Sequence, residues 1–276
     1  MAFKWIESHA HLNRNFTYEA LDVFAEDSGC QKIWLHALET MKDNPRHCGN
    51  DKVLEVAKHY PGFIEPFAYC RPDLGPDQVK RFKDAGFTGL KFLNPIADYD
   101  SPEFFPVYAE AEKLGMPCFF HVGVIARYNP QDLRDPRMIS TPCRMKPSML
   151  DTIASQFHSL QIIAGHPGFP WCNEMYESLW FYPNIKCSIC GMVDIKWLID
   201  TMGGMDVTGV PMYEKLLFAT DSDYGRASVE DYIRERTCFF KVFFEIAGNT
   251  MLWREHSEDF LYRNAEKLFE NIRSSK

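Results

Sequence analysis

The chain has 276 residues, 46% of them hydrophobic, and a formal net charge of −8. That apolar share is enough for a large core and excludes a disordered chain, and the acidic balance argues against nucleic acid or an anionic membrane as partner. No stretch approaches the roughly 20 apolar residues of a membrane helix, and "MAFKWIES" has no apolar run with a cleavage site.

A non-exported protein without membrane contact is therefore expected. Nine cysteines scattered over strands and loops fit free thiols in a reducing cytoplasm. In chain order, apolar runs rich in strand formers stand at 3–8, 30–36, 62–69, 87–92, 117–122, 160–166, 184–189 and 215–220. Between and after them, amphipathic stretches predict helices near 17–28, 50–60, 76–85, 102–114, 145–157, 172–181, 193–203, 226–247 and 257–272. Ser101 stands at an N-cap position ahead of Pro102, and "DAG" and "KLG" end helices on glycine. Eight strands, each followed by a helix, predict one (β/α)₈ barrel over residues 1–276; an open doubly wound sheet is the alternative. Long loops at 37–49 and 123–143 follow strands, which in a barrel places them over the C-terminal face, where active sites lie.

Chemistry-bearing residues gather at strand ends. His9 and His11 alternate at the end of strand one and so share a face. His121 ends strand five, His166 strand six and Asp221 strand eight. A lone histidine at such a position is usually a satisfied structural residue; several converging on one mouth point to a borderline divalent cation such as Zn²⁺, with Mn²⁺ as the alternative. Leaving these groups buried without a partner would cost roughly 1–3 kcal/mol each. The C-x-x-C pair of Cys187 and Cys190 has no second pair to complete a zinc knot, and two thiols on a core strand and its following turn are the expectation.

The motifs "SHAHLN", "GFTGLKF", "HVG", "IIAGHPGFPW", "LLFATDSDYG" and "FLYRNAEKLF" follow one another in order along nearly the whole chain. Together they resemble the amidohydrolase superfamily of metal-dependent (β/α)₈ enzymes. The resemblance is strongest to the amidohydrolase-2 branch, related to aminocarboxymuconate semialdehyde decarboxylase. It implies one metal held by His9, His11, His121 and Asp221, with His166 beside it as acid/base. Binuclear members of the superfamily add a carboxylated lysine on strand four, where this chain has Lys91, so a second ion held by Lys91 and His166 stays open; Lys91 as a plain anion-binding or structural lysine is the preferred reading.

The expected activity is hydrolysis of a small ester, lactone or amide by metal-activated water, with Asp221 as base. Nonoxidative decarboxylation is the alternative within the same branch, and a metal-binding barrel without turnover is a third reading. Arg71, Arg127 and Arg144 lie in or beside mouth loops and are candidates to hold a substrate carboxylate. Trp171 is placed either to wall the pocket or to pack. His36 is expected to support the ligands, and His47 to be solvated. The phenylalanine-rich "CFFKVFFEIAG" offers a homo-oligomer interface or a face packed on the barrel.

Overall fold

Every residue of the first strand, β1 (Trp5–Leu12), is buried, the pattern of a parallel strand covered on both faces. In this computed structural model the residues described are 4–27, 29–38, 47–125, 142–191, 195–225 and 256–274. Strand and helix alternate: α1 (Tyr18–Asp27), β2 (Cys30–His36), α2 (Asn50–His59), β3 (Ile64–Tyr69), α3 (Asp77–Ala85), β4 (Gly89–Phe92), α4 (Phe105–Lys113), β5 (Cys118–His121), α5 (Met149–Gln156), β6 (Ile162–Gly165), α6 (Cys172–Phe181), β7 (Ile185–Ile189) and α7 (Ile195–Gly203). Two short strands, β8 (Leu216–Phe218) and β9 (Ser222–Tyr224), follow, and α8 (Asn264–Ser274) ends the described chain.

All strand pairs are parallel, in the order β8-β7-β6-β5-β4-β3-β2-β1-β9. β8 and β9 are halves of one strand interrupted at Ala219–Asp221. The first half pairs with β7 and the second with β1, so the sheet closes on itself. This is the (β/α)₈ barrel that the alternation predicts, and the open-sheet alternative falls.

Two element boundaries differ from the sequence reading. β1 runs to Leu12 rather than ending near residue 8, because Ala10, His11 and Leu12 pair with Ser222, Asp223 and Tyr224. The His-Ala-His segment looks too polar for a strand interior, yet tertiary pairing extends the strand through it. Strand eight, expected at 215–220, is split for the same reason: each half follows a different neighbour. Ser101 caps a short 3₁₀ turn (Pro102–Phe104) by position only; its side chain reaches Glu103 rather than a backbone N–H. The helix expected at 226–247, and with it the oligomer surface, lies outside the described residues.

Two cores result. The outer one fills the space between strands and helices. The inner one holds Ile6, Trp34, Phe67, Phe119, Ile163 and Leu217, one residue from each of six strands, and α8 plugs it with Ala265, Leu268 and Phe269. Space for the large inner rings comes from small neighbours. A Cβ at Gly89 would lie 2.3 Å from the Phe67 ring, and one at Gly165 would lie 2.3 Å from the Phe119 ring. One end of the barrel is thus dry. Phe119 floors the other end, with the His9 and His36 rings at 4.6 and 4.2 Å and the Lys91 Nζ 4.2 Å above its centroid.

Candidate metal centre

The end of β1 is fixed to the broken eighth strand by a buried carboxylate. Glu7 accepts hydrogen bonds from the Thr220 amide (2.9 Å), the Tyr224 hydroxyl (2.7 Å), the His9 amide (3.2 Å) and the Thr220 hydroxyl. The Asp221 amide then donates to the His9 carbonyl at 2.8 Å. His166 and Asp221 both adopt left-handed backbone conformations, with φ of 81° and 54°. Non-glycine residues in that region cost backbone energy and persist where surrounding contacts hold them. Both turn their side chains toward one point.

The proton count at that point is short. The His11 Nδ1 lies 3.0 Å from the His36 carbonyl, which can only accept, so this nitrogen carries the ring proton. Its Nε2 then presents a lone pair to Asp221 Oδ1 at 3.1 Å. His166 repeats the arrangement: Nδ1 donates to the Cys190 carbonyl (3.2 Å), and Nε2 faces Asp221 Oδ2 at 3.7 Å with no hydrogen-bond partner. His9 Nε2 accepts from Lys91 Nζ at 2.9 Å and lies 3.4 Å from Asp221 Oδ1, while its Nδ1 faces Cys190 Sγ at 3.4 Å. Lone pairs aimed at a carboxylate with no proton between them call for a cation. The donor atoms of His9, His11 and Asp221 all lie within 4.8 Å of one another. Imidazole and carboxylate donors, with the far ring nitrogens tied to backbone and thiol, fit a borderline divalent ion.

The electrostatics fit as well. Burial pushes the His9 imidazole well down, helped by the Lys91 charge, and burial likewise lowers His11 and His166. Burial also raises the Asp221 carboxyl. The close contact with His11, together with the neighbouring His166 and Lys91, outweighs that and holds it well below the usual carboxylate range. Neutral imidazoles facing an ionised carboxylate are the protonation states a cation needs. Burial brings Lys91 down to about 7, so a cation competes for the His9 lone pair with a weakly basic amine.

The other expected residues divide. His121 lies beside His166, ring centroids 4.6 Å apart, but it is not part of the compact donor group: its Nε2 is 3.1 Å from the Val124 carbonyl, leaving Nδ1 as its lone-pair nitrogen. Arg71 grips Asp73 through Nε and a terminal nitrogen. Arg127 lies outside the described residues. Arg144 is half-buried on the 3₁₀ turn Pro142–Met145, whose Met145 carbonyl accepts from Gly123 just past β5. Trp171 stands just before α6 with Lys146 Nζ 5.2 Å from its ring centroid. His36 supports the site through its carbonyl and through its ring, 5.0 Å from that of His9. His47 is not solvated: it binds Asp223 at 2.6 Å with its ring 5.3 Å from that of His11. Asp223 was not singled out in the sequence, and Cys190, read there with Cys187 as a thiol on the turn after a core strand, directly follows β7 and faces the His9 and His166 rings. Cys187 and Cys190 are both free and buried.

The sequence profile of the Amidohydrolase family matches residues 43–270. No curated protein sequence matches the chain. Among solved structures, an uncharacterised TIM-barrel protein from Bordetella bronchiseptica is 17% identical, with a TM-score of 0.70, covering 98% of this chain and 99% of that one. A dihydroxybenzoic acid decarboxylase from Polaromonas sp., with bound manganese and 2-nitroresorcinol, is 16% identical at a TM-score of 0.61, covering 97% of each chain. A probable 2-pyrone-4,6-dicarboxylic acid hydrolase from Acinetobacter baumannii, with citric acid bound, is 12% identical at a TM-score of 0.61, covering 97% and 99%. These likenesses bear on the fold. With the profile running over most of the chain and a closed barrel carrying convergent histidines at its C-terminal mouth, this protein belongs to the amidohydrolase family.

Proposed function

We propose that the chain is a divalent-metal-dependent hydrolase of a small, carboxylate-bearing ester, lactone or amide. The observation that carries this reading is the ionised Asp221 facing the Nε2 lone pairs of His9, His11 and His166. His9, His11 and Asp221 would hold one zinc or manganese ion, with His121 completing the set. The ion supplies Lewis acidity, which acidifies water and polarises a carbonyl. Asp221, about a third exposed, accepts a proton from water at its carboxylate and returns it to the leaving group. His166, its Nδ1–H committed to the Cys190 carbonyl, offers Nε2 to orient that water. Phe119 closes the floor and keeps bulk water out. Arg144 is the anion anchor this reading prefers, since Arg71 already holds Asp73.

Decarboxylation is the second reading, favoured by the Polaromonas decarboxylase sharing the fold end to end. Hydrolysis starts with Asp221 taking a proton from water, whereas decarboxylation needs a proton delivered to carbon, so the products distinguish the two. Protein loaded with one equivalent of zinc or manganese, tested on lactones, esters, amides and hydroxybenzoates, separates the readings. Hydrolysis without CO₂ is expected. Release of CO₂ from a hydroxybenzoate would replace the hydrolase by the lyase, and bound metal without turnover would favour the binding barrel.

A further inference from the structure

The donors of the metal centre have a second side. His9 Nδ1 and His166 Nδ1 both turn away from Asp221 and meet at the Cys190 thiol, 3.4 and 3.2 Å from Sγ. One ligand atom from each of His9, His166 and Cys190 lies within 4.8 Å of the others. We propose that Cys190 Sγ, His9 Nδ1 and His166 Nδ1 form an inner site for a thiophilic cation, antagonistic to the outer one. Metal–nitrogen and metal–sulfur bonds of about 2.1 and 2.3 Å place N and S roughly 3.6 Å apart around a tetrahedral ion, within a few tenths of an ångström of the distances here. Gly191 keeps the flank of this set clear, because a Cβ there would stand 2.9 Å from His166 Nδ1.

Two imidazole nitrogens and a sulfur form a softer set than the imidazole and carboxylate donors outside, so the two sides select different ions. They also exclude one another. A neutral imidazole has one lone pair. Inner binding moves the proton of His9 and of His166 from Nδ1 to Nε2, which removes two lone pairs from the outer side. The thiol proton leaves to solvent as the metal–sulfur bond forms, so a divalent ion binds with release of one proton and no redox change.

Cadmium is the probe. Manganese-loaded protein in a Cys143→Ser background, which removes an exposed thiol, is titrated with Cd²⁺ and followed by the ultraviolet thiolate-to-cadmium band and by the spin-resonance signal of freed Mn²⁺. The wild-type site should develop the band at one equivalent and release manganese in step. Cys190→Ala should lose the band and bind cadmium at least tenfold more weakly while retaining manganese. Cys190→Ser, which keeps a hydroxyl facing both rings, should do the same and covers a folding failure of the alanine variant. An equal band and equal cadmium affinity with and without Cys190 would overturn the site, and cadmium bound at the thiolate with manganese fully retained would overturn the antagonism. The band reports the inner site even if no manganese binds, so failure of the outer reading is separately visible.

Discussion

Asp221 sits where a backbone cost, a field and a candidate coordination site coincide. Its left-handed φ places the carboxylate against two imidazole lone pairs. Asp221→Asn keeps the shape and removes the charge, so turnover should fall by about 10²–10⁴-fold with the circular dichroism spectrum unchanged; near-normal rate would remove Asp221 from the chemistry. His11→Ala removes one lone pair and should empty the site, read by metal analysis of dialysed protein. Full retention of metal would place His11 outside the ligand set. Several of these residues were legible in the sequence: His9 and His11 by strand alternation, His166 and Asp221 by position at strand ends. His47, Asp223 and Cys190 were not. A histidine beyond strand two and an aspartate on the split strand eight are 176 residues apart, and nothing local couples them.

At the scale of elements, the device that builds the site is Glu7. A charged residue inside a buried strand looks like a fault until strand eight breaks beside it and supplies the Thr220 and Tyr224 donors. Glu7→Gln sets an amide NH₂ against those donors. It should lower unfolding stability by about 1–3 kcal/mol in urea melts and weaken metal binding, because Asp221 is placed from the same segment. An unchanged melt would mean the staple is dispensable. A second buried pair acts before β8. Asp206 binds Lys215 at 2.7 Å and accepts from Thr208 and Val210, while Lys215 also donates to the Leu179 carbonyl. Burial pushes the Asp206 carboxyl up, but the Lys215, Thr208 and Val210 bonds outweigh it and hold it well below the carboxylate range. A carboxyl lowered in the folded state stabilises fully above its unfolded value of about 3.9, and that contribution is lost as pH falls below it. Stability of the natural chain should therefore drop between about pH 4 and pH 2, and Asp206→Asn should flatten that decline in chemical melts taken across the range.

At the scale of the whole molecule, the barrel has a dry end and a wet end. α8 seals the dry end, where Phe269 packs edge-on to Trp34 at 4.9 Å. Phe269→Ala should cost about 3–5 kcal/mol in denaturant melts yet leave metal stoichiometry intact, since the plug and the site lie in different layers. A drop in bound metal per folded chain would show the two layers to be coupled. The wet end is stabilised by what it binds: a cation at one hundred times its Kd should add about 2.7 kcal/mol, seen as a melting temperature that rises with metal and falls with chelator. Within the described residues no helix is long and apolar enough to cross a membrane.

Hydrophobic period and strand-end position, both properties of short segments, carried the alternation of strands and helices, the barrel that eight such units close, and the four strand ends that bear histidine or aspartate. Contacts between distant segments were needed to show that β1 continues through its histidines, that strand eight divides at Asp221, that Arg71 is already paired, and that a thiol lies beneath two imidazoles. Each of these depends on which distant segment lies alongside, and pairing across a closed sheet is settled by register and burial rather than by neighbours along the chain.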